Sequence, residues 1–210
     1  MFFKLSWPRL RRWELALLLG LAATLLLGLW LEREQSDLAD SVLRLHVLAN
    51  SDSETDQALK LKVRDRVLAE AESILPDGAS LEVAERKIGE NLSRLAAAGA
   101  EVVAREGYDY SVSASLEETW FPTKEYEDFS LPAGQYQALR IVIGEGEGQN
   151  WWCVVFPPLC LGSVSESTRE TALEAGLDEQ QVALLTGETE GYVVKFKALE
   201  LWEQIKEVLS

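Results

Sequence analysis

The chain has 210 residues, of which 47% are hydrophobic and 26% are charged, and its net charge at pH 7 is −15. This composition excludes an intrinsically disordered chain and suits one folded domain with an additional segment. The charge is unevenly divided, because residues 1–31 carry +3, whereas residues 32–210 hold 16 basic and 34 acidic side chains, a net charge of −18. So acidic a domain repels nucleic acid and anionic membranes, which favours a protein or a cationic partner.

An uncharged apolar run follows a basic stretch at the N-terminus. Residues Leu15 to Leu31 would span about 25 Å as a helix, close to the hydrocarbon thickness of a bilayer. Trp13 and Trp30 flank the run, where tryptophans favour the membrane interface. We therefore predict a membrane helix within residues 1–31, which is an export signal or, by preference, an uncleaved signal anchor. Its positive flank would keep the N-terminus in the cytoplasm and send the rest across.

A single extracytoplasmic domain is predicted over residues 41–210, after a linker of residues 32–40. Residues 163–191 are its least defined part. The first element is a strand over Ser41–Asn50, in which apolar side chains occupy both faces. That pattern indicates a central strand that is covered on both sides.

Two helices are predicted next. Ser53 is the expected N-cap of the first helix, which ends near Ile74. Ser80 is the expected N-cap of the second, whose narrow apolar stripe continues to about Val102. Because the link between the helices is short, the sequence favours an antiparallel pair.

Three further strands follow. "YDYSVSASLE" alternates as a half-exposed strand does, and "QYQALRIVI" and "WWCVVF" are strands joined by Gly144–Asn150, which we predict to be a hairpin loop. One or two short helices are expected after Ser163, and a last helix over residues 193–209. The fold class is therefore α+β: a mostly antiparallel sheet of about four strands packed with the antiparallel helix pair and the C-terminal helix, preceded by the membrane helix.

Cys153 and Cys160 both belong to the part predicted to be exported. An even number of cysteines in an oxidising compartment suggests a disulfide, although spacing alone leaves the bridge open. The rival use of these thiols is a Cys/His hydrolase, in which His46 would activate either cysteine. His46 lies in the middle of a predicted strand, however, where a structural role is the commoner one. One histidine and two cysteines match no zinc motif.

The glycine-rich stretch "GEGEG" also invites an enzymatic interpretation. It lacks the lysine and hydroxyl residue of a phosphate-binding loop, no helix follows it, and its glutamates would repel phosphate. We therefore predict no catalytic residue, no cofactor and no metal site. The remaining candidates are surface residues: paired tryptophans that must point in opposite directions, the loop glutamates, and the one basic cluster of the acidic domain. Intrahelical pairing, such as Arg66 with Glu70, is the alternative role for that cluster. The hypothetical partner-binding residues are Trp151, Trp152, Glu145, Glu147, Lys60 and Arg64.

Two long stretches carry a family resemblance. "LRLHVLANSDSETDQALKLKVRD" and "FPTKEYEDFSLPAGQYQALRIVIGEGEGQNWWCVVFPPLC", behind the anchored N-terminus, resemble the stage II sporulation protein R family. The resemblance covers residues 42 to about 162, and the segment from Ser163 to Gly191 matches nothing in the pattern.

The resemblance implies a signalling protein of endospore-forming bacteria. Family members are made in the forespore and exported into the space between the two membranes. There they activate a membrane-embedded aspartic protease of the mother cell, which then removes the pro-sequence of sigma-E. The resemblance carries over no catalytic residue.

Overall fold

The computed structural model describes residues 14–23, 38–76, 78–126, 129–159 and 166–186. The chain divides into two units, Met1–Asp37 and Leu38–Ser210, and residues 14–23 of the first are helical. Within these described ranges, no helix has both the length and the apolar character that a membrane crossing requires. Residues 24–31 of the predicted membrane helix lie outside the described residues, so that helix stays a prediction.

A four-stranded sheet forms the centre of the second unit. The described residues form the strands β1 (Leu43–Leu48), β2 (Val112–Phe121), β3 (Lys124–Glu125), β4 (Ser130–Leu131), β5 (Gly134–Ile143) and β6 (Asn150–Phe156). The sheet order is β2-β5-β1-β6, and β3 and β4 form a separate two-stranded ribbon. β1 is buried along its whole length, which confirms the predicted central strand.

The sheet is mixed, which corrects part of the predicted fold class. β5 runs antiparallel to β2, and β6 antiparallel to β1, but the central pair β1 and β5 is parallel. The chain leaves β1, passes through the helices and reaches β5 only after β2. A crossover of this kind permits a parallel pair, whereas the sequence pattern shows only that both strands are buried.

The predicted hairpin of Gly144–Asn150 is wrong, because β5 and β6 are not neighbours. β1 lies between them. The loop Gly144–Gln149 therefore passes over the end of β1, and we call it the crossover loop. Two strands joined by a short glycine-rich loop usually pair with each other, and only the sheet order shows that a third strand occupies the space between them.

Three helices cover one face of the sheet: α1 (Glu54–Ile74), α2 (Leu81–Glu90) and α3 (Leu92–Arg105). The Ser53 and Ser80 hydroxyls accept hydrogen bonds from Asp56 N at 3.1 Å and Val83 N at 3.4 Å, which confirms both predicted N-caps. The second predicted helix, however, is interrupted at Asn91, whose side-chain amide donates to Lys87 O at 2.8 Å.

Close packing of α3 on the sheet depends on Gly99. A Cβ at this position would lie 3.0 Å from Val112 Cγ1 and 3.2 Å from Val63 Cγ1, so an added side chain would require these valines to shift. The helices and the sheet enclose the first hydrophobic cluster, which includes Leu45, Val47 and Cys153.

A second hydrophobic cluster lies on the other face, under the β3–β4 ribbon and the helices α4 (Glu166–Glu174) and α5 (Glu179–Thr186). These helices confirm the prediction of one or two short helices after Ser163. The predicted C-terminal helix over residues 193–209 lies outside the described residues. The architecture is α+β as predicted, with both sheet faces covered over much of their area.

Candidate functional site

The crossover loop is fastened to the chain segment that leaves β1. Glu145 N donates to Asn50 Oδ1 at 3.1 Å, Gly148 N to Ala49 O at 3.0 Å, and Gln149 N to the carboxylate of Asp52 at 2.7 Å. A fourth bond runs from Glu147 N to Asn50 O at 3.3 Å. Each such bond contributes about 1 kcal/mol, so together they define the position of a loop that would otherwise be mobile.

Glycines make this close crossing sterically possible. Gly144 and Gly146 have φ values of 58° and 68°, a conformation that side chains disfavour. Gly148 has a different constraint, because a Cβ there would lie 2.3 Å from Ser51 O, a rigid backbone atom. The glycine-rich pattern therefore reflects a loop lying directly on another segment and not a phosphate cradle.

Asp56 organises the segment beneath the loop. Its buried carboxylate accepts hydrogen bonds from Ser51 Oγ at 2.6 Å and from Asn50 Nδ2 at 2.9 Å. These bonds lower the pKa of Asp56, against the opposing effect of burial. The first turn of α1 is thereby joined to Asn50, which in turn holds the crossover loop.

Lys60 also lies beneath the crossover loop, where its side chain is buried and binds the loop backbone. Only 4% of the residue is exposed, and its Nζ donates to Gln149 O at 2.9 Å and Gln57 Oε1 at 2.5 Å. Burial lowers the pKa of Lys60, and Asp52 opposes that shift. A partner contact by Lys60 stays a prediction, and in this structure its side chain is buried. Glu145 and Glu147 are exposed on the loop.

Trp151 and Trp152, near the start of β6, point to opposite faces of the sheet, and both are half-buried. Trp151 packs against the first hydrophobic cluster, with the guanidinium carbon of Arg64 4.5 Å from its ring centroid. Arg64 also pairs with Asp65 at 2.6 Å, and Arg66 pairs with Glu70 at 2.5 Å, which confirms that intrahelical pair.

Trp152 packs on the opposite face beside His46, with ring centroids 6.2 Å apart, and Lys124 Nζ lies 4.5 Å from the indole centroid. His46 Nε2 lies 2.8 Å from Asn150 Oδ1. Burial lowers the pKa of His46, and this effect is larger than the opposing effect of the Asn150 hydrogen bond. The charges of Arg140 and Arg44 also lower the pKa. These effects favour the neutral form of the buried imidazole.

His46 and Cys153 do not form a catalytic pair. In the β1–β6 register Leu45 lies opposite Cys153 and His46 opposite Trp152. Paired side chains share a face and successive ones alternate, so the Cys153 sulfur and the imidazole lie on opposite sides of the sheet. Cys153 is held in a disulfide. Cys160, the only other cysteine of the sequence, lies outside the described residues, so the Cys153–Cys160 bridge stays a prediction.

A buried arginine that the sequence pattern did not single out lies under the second cluster. Arg44 is fully buried, its guanidinium carbon is 4.1 Å from the Phe121 centroid and 4.9 Å from the Tyr136 centroid, and its Nη2 donates to Tyr126 Oη at 2.9 Å. Burial lowers the pKa of Arg44. The guanidinium thus joins β1 to Phe121 and Tyr136 by cation–π contacts and to Tyr126, beyond β2, by a hydrogen bond.

The residues that hold the crossover loop were also missed as such. The sequence pattern singles out none of Asn50, Asp52 and Asp56 for this role. An isolated run of Asn, Ser and Asp after a strand is ambiguous, because the same side chains cap a helix or bind a neighbouring loop. Among the described residues, no group of three or more His, Cys, Asp or Glu side chains is placed to hold a metal ion.

The fold and this surface define a class, an acidic, disulfide-containing α+β domain whose crossover loop is held by hydrogen bonds to the segment after β1. The family model of stage II sporulation protein R matches residues 39–166, and the chain therefore belongs to that family. The chain is 43% identical over 129 residues to stage II sporulation protein R of Bacillus subtilis (strain 168), an alignment that covers 61% of this chain and 58% of that relative. The chain thus spans less than two thirds of the relative's length. No solved structure matches it.

Proposed function

We propose that this chain is an exported sporulation signal that activates a membrane-embedded aspartic protease, which then processes pro-sigma-E in the mother cell. Family membership supports the sporulation role. The predicted export segment and a folded domain with a net charge of −18 agree with a protein that acts on another protein outside the cytoplasm. On this proposal the chain is made in the forespore and its domain lies in the intermembrane space.

One observation indicates which surface of the domain contacts the protease. The two stretches that resemble the family, residues 43–65 and 121–160, are far apart in the chain, yet they meet where the crossover loop lies on Asn50 and Asp52. Both stretches fall within the region that the family model matches. We propose that the exposed Glu145 and Glu147, with the exposed part of Trp152, contact the protease.

An activator must bind the active conformation of the protease more tightly than the inactive one, because equal affinity shifts no equilibrium. The rigid attachment of the crossover loop suits this task. A preorganised loop loses little conformational entropy on binding, so more of the contact free energy remains to favour one state of the partner.

Reconstitution tests the function. The exported chain, the protease and pro-sigma-E are produced together in a non-sporulating host, and cleavage of the pro-sequence is followed by immunoblot. Cleavage should require the chain and its residues 1–31. Cleavage at the same rate without the chain, or with a chain lacking those residues, would contradict the proposal.

A matched pair of variants tests the surface. Glu145→Gln with Glu147→Gln removes two exposed charges from the crossover loop and should lower processing by about tenfold. Glu72→Gln with Glu174→Gln removes two exposed charges elsewhere and should process pro-sigma-E at the wild-type rate. Equal activity of the two double variants would reject the crossover loop as the contact.

A further inference from the structure

The outer edge of β2 has backbone groups that pair with no strand of the described residues. β2 runs for ten residues beside β5 without an irregularity, and no strand of the described chain pairs with its other side. Gly144 N donates to Ser111 O at 2.8 Å, which makes Ser111 and every second residue after it the hydrogen-bonded positions toward β5. The alternate residues point their N–H and C=O groups outward: Val112, Ala114, Leu116, Glu118 and Trp120.

Trp120 lies at the end of this edge and is 45% exposed. Among the described residues of the second unit, no other large hydrophobic side chain is as exposed. The remaining aromatic side chains near it, such as Phe121 and Tyr136, are buried in the second cluster. An exposed indole beside unpaired strand groups is a suitable anchor for a protein contact, because tryptophan combines a large apolar area with a polar N–H.

An acidic cleft of about 490 Å³ adjoins the same end of β2. Its carboxylates come from α2, from β2 and from the segment before β1: Asp40, Glu82, Glu85 and Glu118. Among the described residues, no basic side chain lines the cleft, and the one ion pair of these four carboxylates is the 3.9 Å contact of Glu82 with Arg86. Burial and the charges of Asp40 and Glu82 raise the pKa of Glu85, as expected where negative charges are insufficiently balanced.

We propose that the outer edge of β2, with Trp120 and the adjacent acidic cleft, binds an extended lysine- or arginine-rich segment of a partner protein as an added strand. The main-chain groups of the segment would pair with β2, and its alternate basic side chains would extend into the cleft. This contact goes beyond the proposed function, because it lies at the opposite end of β2 from the crossover loop and does not depend on which protein supplies the segment.

A second copy of this chain fits the edge poorly. Pairing β2 with β2 would bring Glu117 and Glu118 of the two copies together near the middle of the strand, and like charges that face each other across strands are destabilising. It would also bring together two domains that each carry a net charge of −18. A basic segment relieves the same repulsion.

Hydrogen exchange tests the proposal with the full chain in uncharged detergent micelles. The probe is a ten-residue synthetic peptide in which lysine alternates with threonine, and the control peptide has glutamate in place of lysine. Without peptide, the outward amides of β2 should exchange quickly. The lysine peptide should slow them at least about tenfold and leave Ser113 and Ser115 unchanged, whereas the glutamate peptide should have no effect.

Two variants of one residue separate backbone pairing from charge. Glu118→Pro removes an outward N–H and should weaken peptide binding by about tenfold or more, whereas Glu118→Thr keeps the N–H and should weaken it by about threefold. Should Glu118→Pro fail to fold, the exchange pattern of the wild type decides alone.

Three results would overturn the proposal: protection outside β2, equal binding of the glutamate peptide, or protection without peptide together with dimerisation. None of these measurements uses pro-sigma-E processing, so the two proposals fail independently.

Discussion

The side chains of His46 and Cys153 project from neighbouring strands toward opposite faces of the sheet. Cys153 belongs to the hydrophobic cluster under the helices, whereas His46 contacts Trp152 and Phe121 on the other face. The sheet itself separates the sulfur from the imidazole. A hydrolase that used this pair would therefore need a different arrangement of β1 and β6.

This separation predicts that His46 has no influence on the reactivity of Cys153. In a reduced Cys160→Ser chain, iodoacetamide should alkylate Cys153 at the same rate, within about twofold, whether or not His46→Gln is also present. The rate is measured between pH 7 and 9 by mass spectrometry. A tenfold slower reaction in the His46→Gln chain would mean that the imidazole activates the thiol.

The crossover loop should tolerate no side chain at Gly148. Gly148→Ala places a Cβ within 2.3 Å of Ser51 O, so the loop must lift and lose hydrogen bonds, and we expect a loss of about 2–3 kcal/mol. Gly89→Ala is the matched control. Its Cβ would meet Leu116 Cδ2 at an ordinary 3.7 Å within α2, where alanine is favoured by about 0.5–1 kcal/mol. Both unfolding free energies are measured by urea denaturation, and equal effects would refute the steric argument.

The buried Arg44 should be replaceable by an apolar side chain of similar length. Arg44→Ala leaves a cavity between Phe121 and Tyr136 and should cost about 3–4 kcal/mol. Arg44→Met fills much of that space and removes a desolvated charge, so its cost should be less than half as large. Tyr126 Oη would still donate to Trp152 O at 3.0 Å. Urea denaturation measures both, and a methionine variant as unstable as the alanine variant would show that the charge itself is required.

The buried imidazole of His46 should make stability fall in weak acid. Its folded pKa lies below the unfolded value of about 6.5, so the unfolded state binds the proton more readily. The contribution of His46 is present above about pH 6.5 and is lost as the pH falls below that value. Arg140 and Arg44 oppose protonation and Glu117 favours it. Between pH 7.5 and 5 the melting temperature of the wild type should fall more than that of His46→Gln, and parallel curves would show that His46 titrates normally.

Local features of the fold were predictable because each has a local physical cause. The Ser53 and Ser80 hydroxyls cap their helices by accepting hydrogen bonds from backbone amides three residues further along the chain. Alternation along β2 places Val112, Ala114 and Leu116 on the helix-covered face. The break at Asn91 was not predictable, because the apolar stripe continues through it. The hairpin predicted for the loop over Gly144–Gln149 was wrong for a similar reason. Its glycines indicate an unusual backbone conformation, but they do not indicate which segment lies beneath the loop.

The sequence by itself determined the α+β class, the central buried strand, the helix starts, the uneven distribution of charge and the family. These depend on residue types and short periodicities. Only the tertiary structure decided that β1 lies between β5 and β6, that Lys60 is buried beneath the crossover loop, that His46 and Cys153 face apart, and that β2 leaves an edge beside Trp120 and an acidic cleft. Each of these is a relation between segments distant in the chain. Strand order and the face that a side chain occupies follow from how the whole sheet assembles, which no local pattern encodes.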